Sequence, residues 1–272
     1  MSSDEPVAAP EPGVRSSLHD LVGLVELNRP PHNFVDRDLL TAIADAMEEL
    51  AAAPECRAIV LAAEGKSFCA GANFADPGSQ AEPGTSVQES FRALAEHIYG
   101  QAERIFAVHV PVVAAVHGPA VGAGLGLALA CDLRVSCPDA FFAANFVRLG
   151  LHPGFAISIT LPDLVGPSRA ADMLLTGRRV GGGEAFAIGL AERLVPPDDV
   201  RQTALGLARE IAGAAPLGVA ATRQTVRAGL LWRVRETIAR EVEEQVRLIG
   251  TADAAEGIAA MLQKRTPNFE GR

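Results

Sequence analysis

The chain has no surplus of positive charge: 24 Lys and Arg stand against 33 Asp and Glu, a formal net charge of −9. A binder of nucleic-acid backbones needs clustered cations to displace counterions, and no run of Lys and Arg supplies them. Cysteine is sparse. Cys56, Cys69, Cys131 and Cys137 form no C-x-x-C pair and have no histidine at a zinc spacing. A spacing-defined zinc site is therefore excluded, and buried thiols in a reducing cytoplasm are the expectation. Long apolar runs are also lacking. The longest, over 110–130, is broken by Pro111, His117, Pro119 and four glycines. A membrane helix needs about 20 consecutive apolar residues. The opening MSSDEPVAAPEPG has neither the positive n-region nor the apolar h-region of a secretory signal. Its acidic, proline-rich composition reads as a disordered tail over 1–17. No internal repeat is present.

What remains is a globular composition, 49% hydrophobic and 21% charged, in 272 residues. That length suffices for one large core with a helical appendage. Leu21–Leu27 is a short apolar run ending in a turn at Asn28-Arg29-Pro30-Pro31, hence a strand. Over 36–53, Leu39, Leu40, Ile43, Met47 and Leu50 recur at helical spacing, and Pro54 stops the helix. RAIVLAA (57–63) and PVVAAV (111–116) read as buried strands, and DLRVS (132–136) as another. Between the first two lie a glycine- and proline-rich loop over 64–84 and a long amphipathic helix over 86–108. From Asp199 the pattern is helical to Gln263, with breaks near Pro216 and Gly250. Strands alternating with helices predict an α/β core, over 18–198, followed by a helical region over 199–272.

Two glycine-rich turns each follow a buried strand: GKSFCAGAN (65–73) and GPAVGAGLG (118–126). Small residues let a backbone approach a ligand and take unusual dihedrals. Free N–H groups in such turns attract negative charge, and two that converge make an oxyanion hole. Each turn is also what any tight connection requires. A dinucleotide reading is weak, because Gly126 falls one position early for G-x-G-x-x-G after Gly122 and Gly124. No Gly-Lys-Ser/Thr follows the second turn, so it is not a Walker A loop.

Four segments in order resemble the crotonase superfamily, the enoyl-CoA hydratases and isomerases. They are GKSFCAGANF (65–74), PVVAAVHGPAVGAGLGLALACDLRV (111–135), FVRLGLHPGFAISITLPDLVG (146–166) and LLTGRRVGGGEAFAIGLAERLVP (174–196). The closing KRTPNF (264–269) is similar to the family's usual ending. The resemblance covers the chain from about Leu21 onward. It implies a crotonase-like spiral of ββα units, with the C-terminal helices forming trimers or pairs of trimers. It also implies a thioester carbonyl held by two backbone N–H groups, which fall on Ala70 and Ala123. Gly71, Ala72 and Asn73 would line the acyl thioester, and Lys264 would reach the nucleotide end of coenzyme A. The implied partner is an acyl-CoA thioester, coenzyme A entering only as part of the substrate. No metal and no tightly bound cofactor are implied.

The acid–base set departs from the family. The two glutamates of its hydratases fall on Gly126 and Phe146, and a further acidic position falls on Gly154. General acid–base catalysis is worth about 10²–10⁴-fold and needs a group within hydrogen-bond reach. Three readings follow. Another residue supplies the proton chemistry, with His152 the candidate because it precedes Pro153-Gly154 on the loop that borders the family's pocket and histidine as a residue type suits proton transfer near neutral pH; a structural histidine is the plain alternative. Or the enolate arises by decarboxylation of a malonyl-type thioester, which needs no base. Or the protein binds acyl-CoA without turnover. His117, Glu64, Asp76, Asp132, Arg178, Arg179, Tyr99 and Trp232 read as structural or solvated, and the helix carrying Arg233, Arg235 and Arg240 as a charged outer face or subunit contact.

Overall fold

In a computed structural model describing residues 13–74 and 84–272, the chain wraps around a six-stranded sheet. Strands β1 (Val14–His19) and β2 (Val22–Leu27) form an antiparallel hairpin. Helix α1 (Arg37–Ala52) carries the chain back, so that β3 (Ala58–Ala63) pairs parallel to β2. Helix α2 (Val87–Ala107) and β4 (Val112–Val116) repeat the move, with β4 parallel to β3. Then come β5 (Ala120–Val121), α3 (Ala123–Ala130), β6 (Leu133–Ser136) and β7 (Phe141–Ala143). A 3-10 turn (Asn145–Leu149) leads to α4 (Ile157–Val165), α5 (Pro167–Thr176) and β8 (Arg179–Gly181). Helix α6 (Gly182–Ala187) and β9 (Arg193–Leu194) complete the core. The main sheet runs β1-β2-β3-β4-β6-β9, parallel from β2 onward, and β5, β7 and β8 form a second, smaller sheet. Four helices follow: α7 (Val200–Ala212), α8 (Pro216–Val226), α9 (Leu230–Ile249) and α10 (Ala252–Leu262).

The sequence dictates these elements locally. Every residue of β3 and β4 is buried, as suits parallel strands covered on both faces. Helix α1 buries the expected stripe, and Asp36 caps it by accepting from the Leu39 N–H. Helix α2 opens with a full capping box between Ser86 and Glu89. Helix α7 lies on β3 and β4, while α2 packs between α1 and α9.

One expectation needs correction. Residues 14–17 are not tail; they begin β1, and only residues 1–12 of that segment lie outside the described residues. Arg15, Ser16 and Ser17 hid the strand, because an edge hairpin can leave such residues exposed or half-buried. Helix α9 is charged on its outer side, but its inner stripe buries Val234, Ile238, Glu241, Val242, Gln245 and Val246. Asp76, on the 64–84 loop, also falls outside the described residues.

A buried cation ties the core together. Arg134 of β6 is only 1% exposed and donates to the carbonyls of Leu190 (2.8 Å) and Cys131 (2.9 Å) and to Glu192 Oε1 (2.6 Å). Removing Glu192, its one ion-pair partner among the described residues, would leave an uncompensated buried charge. Glu192→Ala is therefore expected to cost about 3 kcal/mol, read as a lowered urea midpoint; an unchanged midpoint would deny Glu192 this role. Asp132 accepts from the Val112 N–H (2.8 Å) and pairs with Arg223 and Arg227, clasping α8 to the sheet.

Candidate active site

The two glycine turns are locked side by side. Cys69 N–H donates to the Pro119 carbonyl (3.1 Å) and Val121 N–H to the Cys69 carbonyl (3.0 Å), a short parallel bridge. On the other side, Val35 N–H donates to the Gly71 carbonyl (2.8 Å). Asn33, fully buried, bonds the carbonyls of Glu64 (2.7 Å) and Ser67 (2.8 Å) and fixes the start of the turn. Gly71 has φ +80, and a Cβ built there would meet the Val121 carbonyl oxygen at 2.7 Å and the Ala123 nitrogen at 3.7 Å. Only glycine fits that close approach.

The donor expected at Ala70 is corrected by this packing. Ala70 N–H donates to the His32 carbonyl (3.0 Å) and is not available to a ligand. The N–H groups of Ala72 and Ala123 meet no acceptor among the described residues. Ala72 follows Gly71 directly, and Ala123 is the first residue of α3, where backbone N–H groups lack helical partners and carry the positive end of the helix dipole. Two unpaired donors on adjoining turns suit an oxygen on which negative charge develops. Burial pushes the Cys69 thiol up to about 12, so it stays neutral beneath the turn.

Side chains reach this place through the second sheet. β5 and β7 run parallel in the register Ala120↔Phe142 and Val121↔Ala143, and Gly122 N–H donates to the Ala143 carbonyl (2.9 Å). The residues just past each strand therefore meet. A Cβ built on Gly122 would lie 3.7 Å from Asn145 Oδ1 and 3.8 Å from Phe146 Cζ. Phe146, half-buried, also joins a small apolar cluster with Phe74, Leu149, Leu151, Leu248, Ile249 and Ala254. Helix α10 of the same chain packs on this turn.

Side chains fill the space beside Gly126 and Gly154. A Cβ on Gly126 would stand 2.5 Å from the Phe155 Cβ. One on Gly154 would stand 1.9 Å from the Tyr99 hydroxyl. Phe155 is fully buried, edge-on to Tyr99 with ring centroids 6.4 Å apart. Phe155 (φ +62) and Ala156 (φ +56) both take the left-handed region, which costs about 1 kcal/mol or more each for a non-glycine residue. Glu241 of α9 holds that conformation: it accepts from Ala156 N–H (2.8 Å), Ser158 N–H (3.3 Å) and Ser158 Oγ (2.5 Å). Tyr99 donates to Gln245 Oε1 (2.7 Å), and Gln245 Nε2 donates to the His152 carbonyl (2.8 Å).

The other expected residues have these places. His152 sets Nδ1 against the Pro153 carbonyl (2.8 Å). Asn73 follows Ala72 and is half-buried. Lys264 is exposed just past α10. His117 Nε2 lies 3.0 Å from the Gly65 carbonyl, a structural contact. A cavity of about 300 Å³ opens beside His117, but its Arg201 is occupied by Glu26 and Glu64. Among the described residues no three His, Cys, Asp or Glu side chains gather to hold a metal ion. Asn145 and Glu241 were not foreseen. For Glu241 the signal was available, because it falls on the apolar stripe of α9 with Val234, Ile238 and Gln245.

Comparison with known proteins agrees with this architecture. The enoyl-CoA hydratase/isomerase family model matches residues 18–272. A Thermus thermophilus relative described as an enoyl-CoA hydratase is 36% identical over 251 residues, 91% of this chain and 97% of its own length. A crotonyl-CoA hydratase from Syntrophomonas wolfei is 31% identical over 250 residues, 91% of this chain and 94% of its own. The crystal structure of an enoyl-CoA hydratase/isomerase from Pseudoalteromonas atlantica superposes with a TM-score of 0.84 at 31% identity, covering 95% of this chain and all of that one.

Proposed function

The chain belongs to the enoyl-CoA hydratase/isomerase family, and from that premise we propose that Ala72 and Ala123 form its oxyanion hole. The thioester oxygen of an acyl-CoA accepts from both N–H groups, and the bonds strengthen as the thioester becomes an enolate. The observation that carries this reading is the pair of unpaired donors on adjoining turns. Gly71 and Asn73 flank the thioester, and the apolar cluster around Phe146 receives the acyl chain. Lys264, exposed beyond α10, meets the nucleotide phosphates of coenzyme A. Leu217, Val226 and Trp232 leave large apolar surfaces in water along α8 and the start of α9, which supports assembly of these helices into a trimer.

One observation favours a particular reaction. Phe155 and Tyr99 fill the space at Gly126 and Gly154, and Phe146 stands beside Gly122. This supports an enolate formed without a carboxylate base, by decarboxylation of a malonyl-type thioester. The bond from carbon 2 to the carboxylate breaks, its electron pair enters the enolate held by the two N–H groups, and carbon dioxide departs. A proton from solvent then reaches carbon 2. An apolar wall aids the first step by desolvating the carboxylate.

The test mixes concentrated protein with malonyl-CoA, following carbon dioxide release, and separately with crotonyl-CoA, following loss of the conjugated-thioester absorbance. Carbon dioxide release without crotonyl-CoA hydration is the expected result. Hydration of crotonyl-CoA would overturn the base-free reading and turn attention to His152→Ala. Tight binding of both thioesters with no product would make the protein an acyl-CoA binder.

A further inference from the structure

Asn145 is the side chain of the site that neither the fold nor the proposed oxyanion hole accounts for. It stands where β7 runs out into the 3-10 turn, and the β5–β7 register places it against Gly122, the residue before the Ala123 donor. Its Oδ1 lies 3.7 Å from the point where a Gly122 Cβ would be. It is half-buried, yet its carboxamide has no hydrogen-bond partner among the described residues. Its other neighbours are apolar or committed. Phe146 presents its ring edge to the same point. Arg148, a turn later, donates to the Thr176 carbonyl (2.8 Å). A carboxamide offers two donors and an acceptor, and turning about χ2 brings either end toward a ligand.

We infer that Asn145 is a specificity-determining residue that hydrogen-bonds an oxygen on carbon 3 of the acyl group. This rests on the thioester lying against Ala72 and Ala123, as proposed above. With the thioester oxygen at Ala123, the next polar group along the acyl chain runs past Gly122, where the carboxamide waits. The favoured ligands are then acyl thioesters with a carboxylate, ketone or hydroxyl oxygen on carbon 3. A plain saturated chain would leave the amide dehydrated and unpaired, which penalises it. The carboxamide acts by holding that oxygen; it needs no protonation change and takes no part in proton transfer.

The experiment is calorimetric binding of acetoacetyl-CoA, malonyl-CoA and butyryl-CoA to the full chain and to Asn145→Leu and Asn145→Asp. Leucine keeps the volume and removes the hydrogen bonds. Asn145→Leu is expected to weaken acetoacetyl-CoA and malonyl-CoA by about tenfold while leaving butyryl-CoA unchanged or tighter. Asn145→Asp should weaken malonyl-CoA most, by placing two carboxylates together, and so separates a carboxylate ligand from a ketone. A leucine variant that shifts all three thioesters equally, or none, overturns the assignment of Asn145 while leaving the oxyanion reading intact. Absence of binding by every thioester to the unaltered chain overturns both.

Discussion

Replacing Ala123 with proline is expected to lower kcat/KM for the thioester that the protein turns over by about 10²–10³-fold, with little change in thermal unfolding. The size follows from deleting one of two oxyanion donors, typically worth about 2.7–4 kcal/mol of transition-state stabilisation. The selectivity follows from position. Ala123 is the first residue of α3, and its N–H serves no acceptor in the fold. Proline is well tolerated at a helix's first position, because the missing N–H is one of the orphans there. Gly122 precedes it with φ 55 and ψ −121, outside the helical region that a following proline disfavours. Few substitutions delete a donor so locally, which makes the readout clean: kcat falls with kcat/KM, as for an interaction made mainly in the transition state. An Ala123→Pro protein that keeps full activity would sink the oxyanion hole. An Ala70→Ser change serves as a control, because the Ala70 N–H still donates to the His32 carbonyl.

That control also shows where sequence reasoning stops. Strands β3 and β4 and helices α1 and α2 were legible, because period, caps and burial all act within a few residues. The two glycine turns were legible as a pair, and both lie at the site. Which N–H is free within a turn is not a local property. Ala70 and Ala72 differ only because the segment around His32 and Val35, more than thirty residues earlier, supplies an acceptor for the first and leaves the second bare. Asn145 is placed by the pairing of two very short strands, β5 and β7, about twenty residues apart, too short to announce themselves by alternation. What packs against Gly126 and Gly154 was not readable. The ring over Gly126 belongs to Phe155, which reaches it only through two consecutive left-handed residues.

Those two residues depend on Glu241, and this dependence makes stability sensitive to pH. Glu241 is 1% exposed, and burial pushes its carboxyl up from an ordinary 4.5 to about 7, against the opposing pull of its bonds to Ser158 and Ala156. Between those pH values the folded chain keeps a proton that the unfolded chain has released. Stability therefore declines as pH rises through the window and levels off above about pH 8. Over the whole window, at about 1.4 kcal/mol per pH unit, the loss accumulates to about 3 kcal/mol. Tyr99, buried next to this carboxyl, is itself pushed upward, first by burial and then by the Glu241 charge, so it stays neutral and adds no titration in this range. Glutamine at 241 would remove the charge and keep the geometry: its Oε1 can accept from Ala156 N–H, and its Nε2 can donate to Ser158 Oγ. Urea unfolding at pH 5.5 and pH 8.5, at one protein concentration, should show the parent chain losing about 2 kcal/mol across the interval and Glu241→Gln losing markedly less. Parallel losses in the two proteins would mean that Glu241 titrates at its ordinary value and that the turn under Gly126 is held by packing alone. The expected divergence would instead identify a buried carboxyl, absent from the proposed chemistry, as the support that keeps Phe155 over Gly126.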